Sequence, residues 1–253
     1  MNNPLPPLAL LAGGLSTRLH PITATMPKSM VPVAGEPFIA HQLRLLAGQG
    51  IQEVVICCGF LGEQIEDYVR DGAAFGCAVR YSYDGSTLRG TGGAIKNALP
   101  SLGEHFFVMY GDSYLPIKFR LVYEISLSFG TIGMMTVFHN ENRWDRSNVD
   151  FRDGRIRNYD KVKITPHMQY IDYGLGILKP GAFERWVEAE VFDLSMVYGD
   201  LVQAGQLGGF EVKHRFYEIG TPSGLRETDE LLRRSKQQPP DDGLIPTGRD
   251  TCS

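Results

Sequence analysis

The 253-residue sequence has few of the features that mark metal-stabilised or disulfide-stabilised proteins. It contains only four cysteines, at positions 57, 58, 77 and 252. Their spacing matches neither a zinc site nor a disulfide framework. Cys57 and Cys58 lie inside an apolar run that begins at Val54. We therefore expect buried free thiols in a reducing compartment.

The sequence also lacks a basic excess and a long apolar segment. Its formal net charge is -4, so any nucleotide is expected to bind as a small molecule and not as a nucleic acid. No basic segment precedes the N-terminal apolar run 8–12, which is too short to span a membrane and ends in Gly-Gly instead of a signal-peptide cleavage site. These absences predict a cytoplasmic protein without membrane or nucleic-acid partners.

The composition is typical of a globular protein, with 43% hydrophobic and 21% charged residues. Apolar periodicity predicts helices over 37–48 and 61–69 that alternate with strands over 53–58 and 78–83. Such alternation predicts an α/β fold with a mostly parallel, Rossmann-like sheet covered by helices on both faces, whose ligands bind beyond the carboxyl ends of the strands. Residues 237–253 are rich in Pro, Asp and Gly and are predicted to form a disordered tail.

A possible phosphate loop follows the first predicted strand. The run 8–12 ends in Gly13-Gly14, and the exposed N–H groups of such a loop can form an anion-binding concavity. Arg18 and Lys28 add two positive charges, which suit a polyphosphate. Glycine pairs are common in loops, so Gly13-Gly14 alone would favour an ordinary strand-to-helix turn with a surface arginine and lysine.

The whole string LAGGLSTRLHPITATMPKSMVPVAGEPFIAHQL, residues 11–43, resembles the signature of the sugar-1-phosphate nucleotidyltransferases. Ser16 stands where that family usually has glycine. The resemblance covers 8–234 and implies an enzyme that joins a nucleoside triphosphate to a sugar 1-phosphate and releases pyrophosphate. It implies catalytic roles for Arg18 and Lys28. The residues that it suggests for nucleotide binding are Leu11, Ala12, Gly13, Gly14, Ser16, Thr17, Gly90, Thr91 and Gly92.

The glycine-rich segment 88–95, LRGTGGAI, is weak evidence when taken alone, because such turns are more often plain loops. In the family, this position lies against the nucleobase and ribose. The combination of GTGGAIKNA with a compact single domain is most similar to the heptose 1-phosphate guanylyltransferases, so we favour GTP and heptose or mannose 1-phosphate as substrates.

Two acidic residues are candidates for binding Mg²⁺, the implied cofactor. Asp112 follows the predicted strand 105–110, at the end of the sheet where ligands bind. An isolated aspartate there more often caps a helix, but the family places a metal ligand on this position. Glu218 stands in the segment 215–222, which resembles the family's second metal signature, D-I-G-T-P, with glutamate in place of aspartate.

The second half of the chain is predicted to hold the sugar phosphate beside a small β-hairpin, whose turn is Asp153-Gly154. The resemblance implies that Lys161 contacts the phosphate, that Asp160 contacts sugar hydroxyls and that Gly174 allows close approach. A solvated surface lysine is an equally good reading of Lys161 considered alone. Further on, 210–212 is predicted to be an edge strand.

Together these patterns predict one domain over 1–236, with a nucleotide-binding part at about 8–115 and a sugar-phosphate part at about 116–221. The chain lacks a hexapeptide repeat, so the acyltransferase fused to some relatives is not expected. Two alternatives stay open: a uridylyl- or thymidylyltransferase acting on a hexose 1-phosphate, and a non-catalytic, regulatory homologue that binds a nucleotide-sugar. A dinucleotide oxidoreductase is disfavoured because residues 13–16 lack the G-x-G-x-x-G spacing. Homodimers are common in the resembled family.

Overall fold

The computed structural model describes residues 4–15 and 17–237. Ser16, Cys252 and the predicted tail beyond Gln237 therefore lie outside the described residues, and their predictions are untested. Gln237 itself is the last residue of a helix. Within the described ranges, no helix is both long and apolar enough to cross a membrane.

Strands and helices alternate through the first half of the chain, as predicted. The strands are β1 (Leu8–Leu11), β2 (Pro32–Val33), β3 (Glu36–Pro37), β4 (Glu53–Cys58), β5 (Ala78–Tyr83), β6 (Phe106–Tyr110), β7 (Ser113–Tyr114), β8 (Gly133–His139), β9 (Val149–Arg152), β10 (Arg155–Tyr159), β11 (Tyr170–Leu178), β12 (Leu207–Val212) and β13 (Tyr217–Glu218). The α-helices are α1 (Phe38–Gly48), α2 (Gly62–Val69), α3 (Gly90–Ala98), α4 (Phe119–Phe129), α5 (Leu194–Gln203) and α6 (Pro222–Gln237). Residues Pro180–Trp186 form a 3-10 helix.

A nine-stranded sheet in the order β5-β4-β1-β6-β11-β8-β12-β10-β9 forms the centre of the molecule. The first four strands are parallel, and helices cover both faces of the sheet. Leu8 and Leu10 of β1 belong to the core that includes α1, whereas Ala9 belongs to the opposite core, which includes α3. Because β1 is buried on both faces, its sequence is continuously apolar. The α/β, Rossmann-like prediction is confirmed.

The other half of the sheet is mixed. β11 runs antiparallel to β6 and β8, and the predicted hairpin is formed by β9 and β10. Asp153 and Gly154 at its turn have φ values of 52° and 71°, the left-handed backbone that a two-residue hairpin turn requires.

The edge-strand prediction for 210–212 is wrong. β12 begins three residues earlier, at Leu207, and lies between β8 and β10. The sequence did not predict this start because it contains Gly208 and Gly209, and glycine is depleted in strands. Here Gly209 is needed, because a Cβ on it would lie 2.6 Å from the ring of Phe151.

A two-stranded sheet, β7 with β13, joins the two halves of the chain beside the large sheet. Glu218 pairs with Ser113, and the Ile219 N–H donates to the Asp112 carbonyl at 2.9 Å. The start of α6 follows at once, where Thr221 accepts a hydrogen bond from the Gly224 N–H at 3.0 Å. The two acidic motifs, 106 residues apart in sequence, are thus adjacent in space.

Candidate active site

The carboxyl ends of β1 and β6 border a cavity of about 230 Å³. Gly13 lies where β1 ends, and a Cβ on it would come within 2.9 Å of the Gly59 nitrogen, so only glycine fits there without movement. Most of the residues predicted to bind nucleotide line this cavity. They are Leu11, Ala12, Gly13, Gly14, Gly90 and Thr91.

The glycine-rich segment also has a packing role within the chain. The Gly92 N–H donates to the Phe192 carbonyl at 2.9 Å, and a Cβ on Gly92 would lie 2.4 Å from the Phe192 ring. The Thr91 hydroxyl accepts a hydrogen bond from Leu194 at 2.8 Å and donates to Asp193 at 3.0 Å. These contacts explain threonine and glycine here without a ligand. Gly92 is not among the described residues that line the cavity.

Thr17 lies in an exposed 3-10 turn, Thr17–Leu19. It is not among the described residues that line the cavity. The binding roles suggested for Thr17, Gly92 and Ser16 therefore stay predictions.

Four charged groups predicted from the sequence converge beside the cavity. The Lys28 Nζ lies 2.8 Å from the Asp112 Oδ2, and both side chains are mostly buried, with exposed fractions of 17% and 26%. Arg18, Asp112 and Glu218 all lie close to Gly220. A Cβ on Gly220 would lie 3.3 Å from the Arg18 Nη2, 3.3 Å from the Asp112 Oδ2 and 2.5 Å from the Glu218 Oε2. Glycine at 220 lets these side chains approach each other.

The two carboxylates fit a site for Mg²⁺. The Glu218 side chain folds back on its own turn, where Oε2 accepts the Gly220 N–H and Oε1 accepts the Thr221 hydroxyl at 2.8 Å. The described residues contain no group of three or more His, Cys, Asp or Glu side chains arranged to hold a metal. Mg²⁺ commonly takes only one or two carboxylates and completes its shell with phosphate and water oxygens. Asp112 and Glu218 provide that number of hard oxygen ligands.

A second cavity, of about 550 Å³, adjoins the first. Tyr110 and Asp112 line both cavities, so the charged cluster lies at their junction. Arg18 and Glu218 also line the second cavity, together with Lys161 and Gly174. Ligands bound in the two cavities would therefore meet at Asp112.

Lys161 is half-exposed but held in place. Its Nζ lies 3.4 Å from the Asp193 Oδ1 and 5.6 Å from the ring centroid of Tyr110. Gly174 has a φ of +96°, and a Cβ there would lie 3.3 Å from the Ser113 hydroxyl. Both positions border the second cavity, and their contacts with a sugar phosphate stay predictions.

Asp160 is placed differently from its neighbour Lys161. Its Oδ1 accepts the N–H groups of Val162 at 2.8 Å and Lys163 at 2.9 Å, and these hydrogen bonds lower the pKa of Asp160. It is not among the described residues that line the second cavity. The structure shows a turn-forming aspartate, and its contact with sugar hydroxyls stays a prediction.

Two acidic residues of the cavities were missed from the sequence. Asp172 lines the second cavity, and burial raises its pKa although Lys161 and the Gly174 N–H act in the opposite direction. Its Oδ2 accepts the Tyr159 hydroxyl at 3.2 Å. An aspartate within the otherwise apolar strand β11 was the available signal.

Asp84 lines the first cavity and is only 6% exposed. Its Oδ2 accepts the Arg89 N–H at 3.1 Å, whereas its Oδ1 is buried without a hydrogen-bond partner among the described residues. Burial raises the pKa of Asp84. Its position directly after β5, at the carboxyl edge of the parallel strands, could have identified it.

Comparison with known proteins defines the class of this site. The profile of the Nucleotidyl transferase family matches residues 9–127. An N-acetylmuramate alpha-1-phosphate uridylyltransferase from Neisseria meningitidis is 30% identical over 226 residues, which cover 88% of this chain and 96% of that protein. A D-glycero-alpha-D-manno-heptose 1-phosphate guanylyltransferase from Campylobacter jejuni is 33% identical over 214 residues, or 84% of this chain and 94% of that protein. The chain belongs to the sugar-1-phosphate nucleotidyltransferases, a family of enzymes.

Solved structures share the fold. The crystal structure of HddC from Yersinia pseudotuberculosis, complexed with GMP-PN, superposes with a TM-score of 0.76 at 24% identity. The match covers 90% of this chain and 100% of that one.

Proposed function

We propose that this enzyme transfers a guanylyl group from GTP to heptose or mannose 1-phosphate and releases pyrophosphate. The observation that carries the reaction type is the convergence of Lys28, Arg18, Asp112 and Glu218 where the two cavities meet. The described residues that line the first cavity all lie between Leu11 and Asp112, which supports a nucleotide-binding part at about 8–115.

The main obstacle to this reaction is repulsion between two anions. A sugar-phosphate oxygen must attack the α-phosphorus as pyrophosphate leaves, and no general base is needed because a phosphate monoester is already ionised near neutral pH. Arg18 and Lys28 would stabilise the charge on the reacting phosphates, and Lys161 would position the sugar phosphate. Asp112 and Glu218 would hold Mg²⁺, which neutralises and orients phosphates when bound. Catalysis then rests on positioning and electrostatics.

Asp84 supports guanine as the base. Its Oδ1 is a buried acceptor without a partner among the described residues, and it borders the proposed nucleotide cavity. Leaving a buried carboxylate oxygen unpaired is costly, so a ligand with hydrogen-bond donors is favoured. Guanine offers adjacent N1–H and N2–H donors on one edge, whereas uracil offers a single N3–H. The similarity to the Campylobacter guanylyltransferase agrees with this choice.

Uridylyl transfer is the second candidate, favoured by the similarity to the Neisseria uridylyltransferase. Thymidylyl transfer to a hexose 1-phosphate has no specific support. A non-catalytic, nucleotide-sugar-binding homologue is disfavoured because Arg18, Lys28, Asp112 and Lys161 are all retained. A protein that only binds has less need of each charge that the transfer step uses.

Pyrophosphate release tests the proposal. The enzyme with Mg²⁺ is assayed with the four ribonucleoside triphosphates and dTTP, each against mannose, heptose, glucose and N-acetylmuramate 1-phosphates. We expect release with GTP. Release only with UTP or dTTP would overturn the guanine assignment. If no pair of substrates releases pyrophosphate although the nucleotide still binds, the non-catalytic alternative is favoured.

The variant Asp84→Asn tests the base contact. The amide replaces one acceptor by a donor, so preference for GTP over UTP should fall by about 10- to 100-fold, the value of a charged hydrogen bond. An unchanged preference would remove Asp84 from base recognition.

A further inference from the structure

The second cavity, which we take as the sugar site, extends beyond the space that a hexose would fill. It continues into an open groove of about 920 Å³, and four residues line both spaces. These residues are Trp144, Asp145, Arg146 and Ile164. They border the cavity on the side formed by the segments 140–147 and 160–169, away from the first cavity.

The segment 140–147, here called the 140s loop, is fixed by its own hydrogen bonds. Asn140 and Ser147 are fully buried at its ends. The Asn140 Nδ2 donates to the Asp145 carbonyl at 2.7 Å and to the Ser147 hydroxyl at 3.0 Å. The Asn140 Oδ1 accepts the Trp144 N–H at 3.2 Å. The loop is therefore preformed, and a ligand need not order it on binding.

Trp144 is also held by a stacked arginine. The Arg215 guanidinium carbon lies 3.5 Å from the centroid of the Trp144 ring, and its Nη2 bonds the Glu227 Oε2 of α6 at 2.6 Å. Stacked arginine holds an aromatic ring in one orientation. The indole is nevertheless 45% exposed and lines both the cavity and the groove. A large apolar surface is thus presented at the point where the cavity opens.

We propose that the 140s loop selects sugar 1-phosphates that carry a polar substituent larger than the hydroxyl or hydroxymethyl group at the same position of a hexose. This inference rests on the proposed function, because it takes the second cavity as the sugar site. The carbon atoms of the substituent pack on Trp144, and its oxygen atoms bond to Asp145 and Arg146. Lining groups of both charges suit such a substituent, either a neutral polyol chain or a carboxylate-bearing ether.

Matched pairs of ligands test the inference. Mannose 1-phosphate is compared with D-glycero-D-manno-heptose 1-phosphate, which has the same ring and an exocyclic chain longer by one carbon. N-acetylglucosamine 1-phosphate is compared with N-acetylmuramate 1-phosphate, which adds a carboxylated ether. Binding is measured by calorimetry with unreactive analogues of GTP and UTP, and kcat/KM by pyrophosphate release. We expect one extended sugar to exceed its hexose partner about tenfold or more in both measurements.

Four variants test whether the loop causes the preference. Trp144→Ala should lower affinity for the extended sugar about tenfold and affinity for its hexose partner much less. Arg146→Gln should weaken the carboxylated sugar more than the neutral one. Arg143→Gln is the control, because this neighbouring side chain is 70% exposed and pairs with Glu141. A fluorescence change on binding of the extended sugar, absent in Trp144→Phe, would show contact independently of turnover.

Equal binding of each matched pair would overturn the inference. So would a Trp144→Ala variant that weakens hexose and extended sugar alike, since Trp144 would then only anchor the loop. Preferential binding of an extended sugar without pyrophosphate release would overturn the proposed reaction but support the inference. Failure of every sugar to bind would overturn both.

Discussion

Replacing Asp112 by asparagine separates the catalytic role of this residue from its structural role. The change keeps the shape of the side chain but removes its charge, which faces Lys28 at 2.8 Å. Both side chains are mostly buried, but the asparagine amide oxygen can still accept a hydrogen bond from Lys28, so the variant should lose about 1 kcal/mol, the difference between a charged and a neutral hydrogen bond. With about 2–4 °C per kcal/mol for a chain of this size, the melting temperature should fall by no more than about 4 °C.

The expected loss of activity is much larger. Removing one preorganised electrostatic group from a reacting centre costs about 2.7–4 kcal/mol, or 10²- to 10³-fold in rate. Asp112 would also lose its charge as a magnesium ligand, so we expect kcat/KM for pyrophosphate release to fall at least 10²-fold. The measurement pairs this assay with a thermal melt of the same preparation.

Glu53→Gln is the matched control. It removes a carboxylate from a similar ion pair, 2.6 Å from Arg80, but on the exposed surface of the sheet edge. It should change neither kcat/KM nor the melting temperature appreciably. An Asp112→Asn enzyme with about wild-type kcat/KM would refute the role of Asp112 in the reaction. A melting temperature lowered by about 10 °C would show instead that the residue is chiefly structural.

Three further predictions follow from other parts of the structure. Arg18→Ala should lower kcat more than it raises KM, and a raised KM with unchanged kcat would make Arg18 a plain binding residue. Gly92→Ala should lower the melting temperature, because its methyl group would overlap the Phe192 ring at 2.4 Å, whereas Gly48→Ala has open space and serves as control. Burial raises the pKa of Glu36, but its hydrogen bonds to a lysine and an arginine prevail and hold it at about 2, so its stabilising effect should be lost as pH falls from about 4.5 to 2. In chemical denaturation, Glu36→Gln should show a smaller loss of stability over that range, and an equal loss would contradict this reasoning.

Sequence reasoning found the elements whose signals are local. Apolar runs and helical spacing identified β4 and β5 at their observed bounds, and Asp153-Gly154 identified its hairpin. It missed the start of β12 because glycine depletion in strands is a statistical rule, and the aromatic rings that approach those glycines come from elsewhere in the chain. It likewise could not see that Gly92 packs on Phe192, a residue 100 positions away.

The sequence by itself determined the α/β architecture, the glycine loop after β1 and the carboxylate that follows β6. Hydrophobic periodicity and turn chemistry act over a few residues, and parallel strands place their carboxyl ends together. Only the tertiary structure decided that Glu218 lies beside Asp112, that a buried oxygen of Asp84 has no partner among the described residues and that Asp160 accepts hydrogen bonds within its own turn whereas Lys161 lines the second cavity. Those outcomes depend on the pairing of distant strands and on the partners of each side chain, which no spacing along the chain specifies.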